Sequence, residues 1–377
     1  MPSTFNLLLN GMPADDKLKT ALSLLEVEEN ADLPGAIQLR VPVDATDGGD
    51  LSYVNDGRFA PFANIAVVAT ADGGQPQCLF DGYVLSHKLH IETGTTGSSL
   101  QVWGQDASWL MNLDEKTREW VDATDADVAN AVFGDYGLTP SPDNTDDDSP
   151  AHTEDGHSLM QRATDIQFLR NLARRNGKLC RVSCAGQPGQ RIGYFAKPKL
   201  DGDPVAMLSL SDPVAWNVTA LDIEWEATRP TAVAARQALF SAADEDGVAA
   251  DTEDSGLALL GQRGLAAFAG RAMKVMLTAP VDDGGELGMR ARALLRESGW
   301  FVRCEGETDV ARLNMILRAG QLVRIGGIGA LHSGNYYVWS VRHSITAESH
   351  KMKFVLVRNA VGTPAADTGG GILDGLL

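Results

Sequence analysis

Long apolar runs are missing from this sequence of 377 residues. No stretch approaches the roughly 18 apolar residues that a membrane-spanning helix requires. The N-terminus, residues 1–10, also lacks the basic start and the small-residue cleavage site of a secretory signal. The sequence therefore predicts a chain that is made in the cytoplasm, does not insert into membranes and is long enough to bury a sizeable core.

Cysteine is scarce, and the four cysteines are Cys78, Cys180, Cys184 and Cys304. Four scattered cysteines are too few for a disulfide framework in a chain of this size. Cys180 and Cys184 share one face of a predicted strand about 13 Å apart, too far to bind one metal ion. His87 and His90 point to opposite strand faces. We therefore predict reduced, buried cysteines, no metal site and no cofactor.

Positive charge is in deficit, because 50 acidic residues outnumber 32 basic ones and give a formal net charge of −18. Proteins gain affinity for nucleic acids and for anionic membranes mainly through Lys and Arg. The composition therefore disfavours both partners. It favours solubility, or a surface along which other polyanions pass without adhering.

Alternating strand patterns dominate the first third of the chain and predict a β-barrel domain over residues 1–106. Its clearest hairpin joins "GYVLSHKLHIE" to "SLQVWGQD" across the turn "TGTTGSS". The apolar face of this hairpin consists of Tyr83, Leu85, Leu89, Ile91, Leu100 and Val102.

Helical patterns enter in residues 107–200, which we predict to be an α/β insertion. The first helix has Thr124 as its N-cap, an apolar face that includes Ala131, and Gly137 as its C-cap. An acidic loop, "SPDNTDDDSPAHTEDG", follows it.

The second helix of this region lies in "TDIQFLRNLARRNGKLCRV". Thr164 and Gln167 have the spacing of a capping box, and Gly177 ends the helix. The apolar stripe is Ile166, Leu169, Leu172 and Ala173. The basic residues Arg170, Arg174 and Arg175 fall mainly on the outer side. A solvated or salt-bridged face is favoured there over ligand binding.

Strand patterns return in residues 201–245 and 300–362, which predict a second β-barrel domain. The segment 246–299 between them predicts a helical insertion, with helical spacing over 257–270 and 286–298 and a flexible acidic loop before them. Residues 363–377 are rich in Gly and predict a flexible C-terminal tail. The fold class is therefore α+β, mainly β.

One internal repeat links the two β-domains. The apolar face of the first hairpin superposes without a gap on Tyr337, Trp339, His343, Ile345, Phe354 and Leu356. This predicts two hairpins with the same register and the same loop length, and hence two related barrels.

Several motifs suggest chemistry but lack a required part. Gly327 and Gly329 follow a strand, yet the third glycine position is His332 and another strand follows, which favours a connecting turn over a dinucleotide site. Four residues have the spacing of an EF-hand loop: Asp143, Thr145, Asp147 and Glu154. Its sixth position is Asp148 instead of Gly, which favours a solvated acidic loop; an ion within 143–154 stays open.

No catalytic constellation is predicted either. "GHSLM" at Gly156 lacks the second Gly of a nucleophile elbow. Nothing in the sequence marks one carboxyl as placed in an apolar wall, as a glycoside hydrolase would require, although 50 acidic residues leave that possibility open. We therefore assign no catalytic, cofactor-binding or metal-binding residue.

The order of these segments resembles the baseplate hub proteins of contractile tails: the late control protein D family of phages, the tail hub of larger phages and the N-terminal hub region of type VI secretion spike proteins. The resemblance covers 107–182 well and 320–362 reasonably. Its most specific motif is Asp165, Phe168, Leu169, Leu172, Ala173 and Gly177. The second is Tyr337, Val338, His343, Phe354 and Arg358.

The resemblance implies a homotrimer whose two barrels per chain form a ring with pseudo-six-fold symmetry. Such a hub adapts a trimeric spike to a hexameric tail tube, encloses the central channel and is not an enzyme. The implied partners are the spike protein, a tube or tube-initiator protein and baseplate wedge proteins. The implied location is the assembled phage tail or injection particle, after synthesis in the bacterial cytoplasm.

Two alternatives stay open. One is a tail-associated hydrolase of cell-wall polymer, which would clear a suspension of cell walls. The other is an unrelated multidomain β-protein that binds a soluble ligand, which would be a monomer in solution.

Overall fold

A computed structural model describes residues 4–46, 48–93, 97–145, 151–154, 158–210, 216–238, 247–281 and 284–362. The protein is mainly β with several short helices, in agreement with the predicted class. Within these ranges, no helix combines the length and the apolar composition needed to span a membrane. The predicted tail, 363–377, lies outside the described residues.

The elements follow one another along the chain in three parts. The N-terminal part contains β1 (Thr4–Leu9), β2 (Met12–Pro13), α1 (Asp16–Ala21), β3 (Leu24–Asn30), β4 (Ala36–Pro42), β5 (Asn64–Thr70), β6 (Gln77–His90) and β7 (Ser99–Asp106). The central part contains a 3-10 helix (Ala107–Asn112), β8 (Glu115–Trp120), α2 (Asp125–Asp135), β9 (Thr139–Pro140), β10 (Leu159–Thr164), α3 (Asp165–Asn176), β11 (Leu179–Cys184) and β12 (Arg191–Ala196).

The C-terminal part begins with β13 (Met207–Ser209), β14 (Val218–Trp225), β15 (Ala232–Gln237), β16 (Val248–Thr252), α4 (Leu265–Ala269), β17 (Lys274–Leu277) and α5 (Gly284–Ser298). It continues with β18 (Val302–Asp309), α6 (Val310–Leu313), β19 (Leu322–Gly326), α7 (Gly329–His332), β20 (Gly334–Ile345) and β21 (His350–Arg358).

Strands from both ends of the chain form one sheet, which has 13 strands among the described residues. Its main path is β14-β18-β21-β20-β3-β4-β7-β6-β5-β1-β2, while β19 joins β20 and β13 joins β19. The antiparallel pair β20–β3 connects the C-terminal strands to the N-terminal ones. Strand pairing in the described part of the chain closes neither group into a separate barrel.

A shared apolar core explains why the two groups are continuous. Val27 and Leu39 from the N-terminal strands belong to the same buried cluster as Val341 and Phe354 from the C-terminal strands. Burial of this common face favours a joint sheet, because apolar area removed from water stabilises by roughly 25 cal/mol per Å².

The hairpins β6–β7 and β20–β21 occupy equivalent places in the two groups, as the internal repeat predicts. Each long first strand carries an irregularity of one residue, at Leu85 in β6 and at Trp339 in β20. A β-bulge of this kind bends the strand and increases its twist. The repeat therefore extends to a feature that the sequence pattern did not reveal.

The predicted register is wrong in the second strand of the repeat. Leu89 pairs with Leu100, whereas His343 pairs with Met352 and not with Phe354. The connection in the first hairpin is therefore two residues longer. A shift of two residues keeps every side chain on its own face, so the hydrophobic pattern concealed it. Ile91 lies beyond the end of β6 and is 63% exposed, contrary to prediction.

Helix α2 begins where the sequence predicted. The side chain of Thr124 accepts a hydrogen bond from the Asp127 backbone, and the Asp127 carboxylate accepts one in return from the Thr124 backbone. Gly137 has φ 66°, which only glycine adopts at little cost. Ala131 is exposed, and Phe133 fills the core instead.

Helix α3 has the predicted N-cap position and the predicted buried stripe, but it has no capping box. The Thr164 hydroxyl donates to Asn112 Oδ1 at 2.8 Å, and the Gln167 amide reaches the same oxygen at 3.4 Å. Asn112 ends the 3-10 helix that packs on α3, so it supplies a competing acceptor. Gly177 ends α3 with φ 60°, as predicted.

The segment predicted as a helical insertion contains two strands. β16 and β17 flank β15 in a three-stranded sheet, and α5 packs on it. β16 lies within the segment predicted as a flexible acidic loop, and the predicted helix over 257–270 shrinks to Leu265–Ala269. β16 contains Ala249, Ala250 and Asp251, residue types that are depleted in strands, so its sequence resembles a loop. Pairing with β15 and contact with α5 give it the strand conformation.

Candidate functional site

The glycine-rich segment after β19 is a strand connection, as predicted. It contains a four-residue helix, Gly329–His332, and then enters β20. No long helix begins there to bind a pyrophosphate. His332 instead accepts a hydrogen bond from the Tyr336 hydroxyl at its backbone carbonyl.

The acidic loop gives no ion site that the structure describes. Asp147 and Asp148 lie outside the described residues, as does Gly156 of the "GHSLM" motif. Asp143 lies 4.0 Å from the Lys199 ammonium, and the Thr145 carbonyl accepts a hydrogen bond from Lys178. Across the described ranges, no group of three or more His, Cys, Asp or Glu side chains is arranged to bind a metal.

Two of the four cysteines form a disulfide, which contradicts the prediction of four reduced thiols. Cys78 in β6 is bonded to Cys184 in β11, with their Cα atoms 5.8 Å apart. The bond joins the main sheet to the central α/β part across 106 residues of sequence, a proximity that spacing alone does not reveal. Cys180 and Cys304 are free and buried, as predicted.

Asp125 is the centre of a buried polar network between α2 and α3. Its carboxylate accepts hydrogen bonds from His152, Arg175 and Asn176. Burial alone would raise the pKa of this carboxyl, but the three donors lower it to about 2. Arg175 therefore forms part of a salt-bridged face, as predicted for the α3 arginines, while Arg174 is exposed. Arg170 departs from this prediction, because its guanidinium is half-buried and makes no hydrogen bond through Nε or Nη2.

Asp165, the acidic residue of the motif that resembles hub proteins, is likewise held by hydrogen bonds from fixed donors. It accepts hydrogen bonds from Lys116, Tyr136 and Gln161, which together lower its pKa against the effect of burial. Its role is to fix α3 against β8 and β10. A carboxyl held ionised by fixed donors does not suit general-acid chemistry.

Asp106 is a carboxyl that no sequence pattern singled out. It is 5% exposed, and burial raises its pKa to about 6, in the range that a general acid requires. Its two oxygens accept backbone hydrogen bonds from Ser108 and Gly35, and the first of these bonds caps the 3-10 helix. It lines a cavity of about 310 Å³ that Asp81 also lines.

A cavity of about 510 Å³ lies between the sheet and the ends of α3 and α5. Its walls combine aromatic side chains, Trp225, Trp300 and Trp339, with charged residues of both signs. Lys178 lines it, and burial lowers the pKa of its ammonium to about 8. The ammonium donates to the Thr145 carbonyl at 3.0 Å and lies 5.0 Å from the Phe195 ring centre.

His343 and His350 form a buried pair across the β20–β21 hairpin. His343 Nδ1 and His350 Nε2 are 3.0 Å apart, and both residues are at most 1% exposed. Burial lowers the pKa of both rings, to about 4 for His350. Both rings are therefore neutral at pH 7, in keeping with a packing role in the sheet.

This pair predicts acid sensitivity. The unfolded chain protonates His350 near pH 6.5, whereas the folded chain does so only near pH 4, so stability is full above pH 6.5 and falls as the pH drops through this window. The contribution of His350 reaches about 3 kcal/mol at pH 4. Urea unfolding from pH 7 to pH 4 should show a smaller loss in His350→Gln than in the parent chain. Equal losses would contradict the assignment.

The family described as the Alg8 N-terminal domain matches residues 3–347 of the chain. Curated protein sequences gave no match.

Several solved structures share the fold. The tail protein from Neisseria meningitidis MC58 is 14% identical with a TM-score of 0.66, over 97% of this chain and 100% of its own. The 43 kDa tail protein of prophage MuSo2 from Shewanella oneidensis is 14% identical with a TM-score of 0.66, over 95% and 99%. The E. coli c3393 protein, a component of the type VI secretion system, is 11% identical with a TM-score of 0.56, over 95% and 79%.

Proposed function

The chain belongs to the Alg8 N-terminal domain family, and from its fold we propose that it is the baseplate hub of a contractile phage tail or a related contractile injection system. One observation carries this proposal: the antiparallel strand order β3-β4-β7-β6-β5 recurs as β14-β18-β21-β20-β19. A chain with two equivalent strand groups provides the internal pseudo-symmetry by which a trimer can match a six-fold tube.

In this proposal, each strand group curls into a barrel-like unit and three chains present six units in a ring. One face of the ring binds the tail tube or its initiator protein, and the other binds the spike. Baseplate wedge proteins surround it. The two units of each chain are the predicted β-units, 1–106 and 201–245 with 300–362, except that β15 belongs to the separate sheet with β16 and β17. The chain has no catalytic role in it.

Charge and covalent structure support this role. A net charge of −18 would keep DNA or acidic cargo from adhering to the channel of the ring. A disulfide suits a component of a particle that leaves the reducing cytoplasm. The proposed location is therefore the assembled tail or injection particle.

The experiment is co-expression of the chain with the spike and tube proteins of the same genome, followed by native mass spectrometry. We expect a complex with three copies of the 40.2 kDa chain and a ring of six lobes in electron micrographs. A chain that stays monomeric and binds neither protein would contradict the proposal.

One observation favours a second candidate, a cell-wall hydrolase. Asp106 has a raised pKa and lines a cavity together with a second carboxyl, Asp81. Asp81 is ion-paired with Arg191 at 2.8 Å, and both Asp106 oxygens are bound by backbone donors, which disfavours this candidate. A turbidity assay on purified cell walls separates the two candidates. A hub leaves the walls intact, whereas a hydrolase clears them. The Asp106→Asn variant of a hydrolase lacks the general acid and should leave them intact as well.

A further inference from the structure

Strand pairing defines which residues of the two strand groups are equivalent. β4 and β18 hold matching positions beside the second hairpin strands, so the strands beyond them, β3 and β14, are equivalent as well. Following the pairs residue by residue places Leu25–Glu29, "LEVEE", on Leu221–Trp225, "LDIEW". The two segments share the order Leu, acid, branched aliphatic, acid. The equivalence of the two segments follows from strand pairing and does not use residue types. The shared order of residue types is therefore independent support for it.

The junction between the two groups within one chain is a short antiparallel ladder. Residues 340–344 of β20 pair with residues 26–30 of β3. Arg342 and Glu28 form an ion pair at 2.7 Å, and the Ser344 hydroxyl donates to Glu26 at 2.9 Å. On the opposite face, His343 pairs with Val27, and both are fully buried.

The equivalent of this β20 segment is residues 86–90 of β6, because the bulges at Leu85 and Trp339 align the two strands. Beyond its bulge β6 pairs only with β7, and β14 pairs only with β18, within the residues that the structure describes. Each group thus has one free edge that corresponds to one side of the β20–β3 junction. Free edges pair readily with another chain.

We propose that residues 86–90 of one copy pair antiparallel with residues 222–226 of a second copy, which are the end of β14 and the residue after it, in the register of the β20–β3 junction. Transfer of that register sets Lys88 opposite Glu224, where the chain's own junction has Arg342 opposite Glu28. It also sets His90 opposite Asp222. His90 now contacts Glu92 at 3.0 Å and Glu224 lies 3.8 Å from Arg303, so each group has one partner already and gains a second.

The apolar residues of these edges support the same register. It sets Leu89 opposite Ile223, and both are only half-buried in the single chain, whereas their equivalents His343 and Val27 are fully buried. Trp225, at the end of β14, is 51% exposed. Pairing with a second copy would bury these side chains, and exposed apolar groups at a free edge are typical of a contact surface.

This pairing deepens the proposed function and rests on it for the size of the assembly. Every copy offers one β6 edge and one β14 edge, so copies join head to tail and the junctions within and between chains alternate around a ring. Six equivalent units then require three copies.

Disulfide trapping tests the pairing. Directly opposed residues in an antiparallel ladder have Cα atoms about 4.5–5.5 Å apart, within the range that a disulfide spans. A chain with Lys88→Cys and Glu224→Cys should give covalent dimers and trimers on non-reducing gels. Arg342→Cys with Glu28→Cys is the matched positive control and should crosslink within one chain. Lys88→Cys with Asp222→Cys tests a register shifted by two residues.

Charge reversal gives a second measurement. Lys88→Glu should weaken association of copies about tenfold because Glu then opposes Glu224, and adding Glu224→Lys should restore it. Lys17→Glu changes the net charge equally at an exposed position of α1 and should leave association unchanged. Absence of crosslinks between copies, or crosslinks only in the shifted register, overturns the pairing. A variant that binds the spike without such crosslinks overturns the pairing alone and leaves the proposed function standing.

Discussion

Replacing Arg358 by methionine is expected to lower the free energy of unfolding by about 3–5 kcal/mol. The guanidinium is fully buried at the end of β21 and donates to the backbone carbonyls of Leu260, Gly362 and Ser333. Methionine fills much of the volume but donates nothing, and each buried carbonyl left without a partner costs about 1–3 kcal/mol. The shift of the urea midpoint measures the loss.

Two variants make the Arg358 result specific. Arg358→Lys retains the charge but has a single ammonium in place of the planar guanidinium, so we expect an intermediate loss. Arg303→Met removes an arginine that is 44% exposed on β18, and its expected effect is under about 0.5 kcal/mol. Equal effects at positions 358 and 303 would contradict the role of the buried hydrogen bonds.

Removing the disulfide is also expected to lower the free energy of unfolding by a large amount. A bond that closes a loop of 106 residues restricts the unfolded chain, which stabilises the folded state by about 5 kcal/mol in the chain-entropy model. The double variant Cys78→Ala with Cys184→Ala should therefore unfold at clearly lower urea concentration.

Reductant provides the matched control for the disulfide. Dithiothreitol should destabilise the parent chain by about the same amount and leave the double variant unchanged, because Cys180 and Cys304 are already free and buried. A parent chain whose unfolding midpoint is indifferent to reductant would show that the Cys78–Cys184 bond does not contribute to stability.

Local patterns predicted the elements better than they predicted the connections between them. Thr124, Gly137 and Gly177 mark helix ends correctly because each acts on backbone groups within one turn. The prediction of a capping box at Thr164 was wrong because the Thr164 hydroxyl donates to Asn112, which lies 52 residues away in sequence. Hydrogen bonds of this kind depend on tertiary proximity, which sequence spacing does not encode.

The same limit applies to the pairing between the two strand groups. The alternation of apolar residues revealed the internal repeat. Because this alternation has a period of two, it does not reveal the two-residue difference in length between the hairpin connections. It also gave no sign that His343 lies against Val27 of a strand more than 300 residues earlier. Asp106 and the Cys78–Cys184 bond were missed for the same reason.

The bulges at Leu85 and Trp339 have a mechanical consequence. At Trp339, β20 leaves β19 and begins to pair with β3, so one continuous backbone belongs to two strand groups in turn. Tension applied to the C-terminal group then runs along the β20 backbone and reaches the N-terminal group through the hydrogen bonds of the β20–β3 ladder. In the proposed ring, the recoil of a contracting tail would load these hydrogen-bonded strands in shear. A ladder resists most strongly in this direction, because many hydrogen bonds must break at the same time.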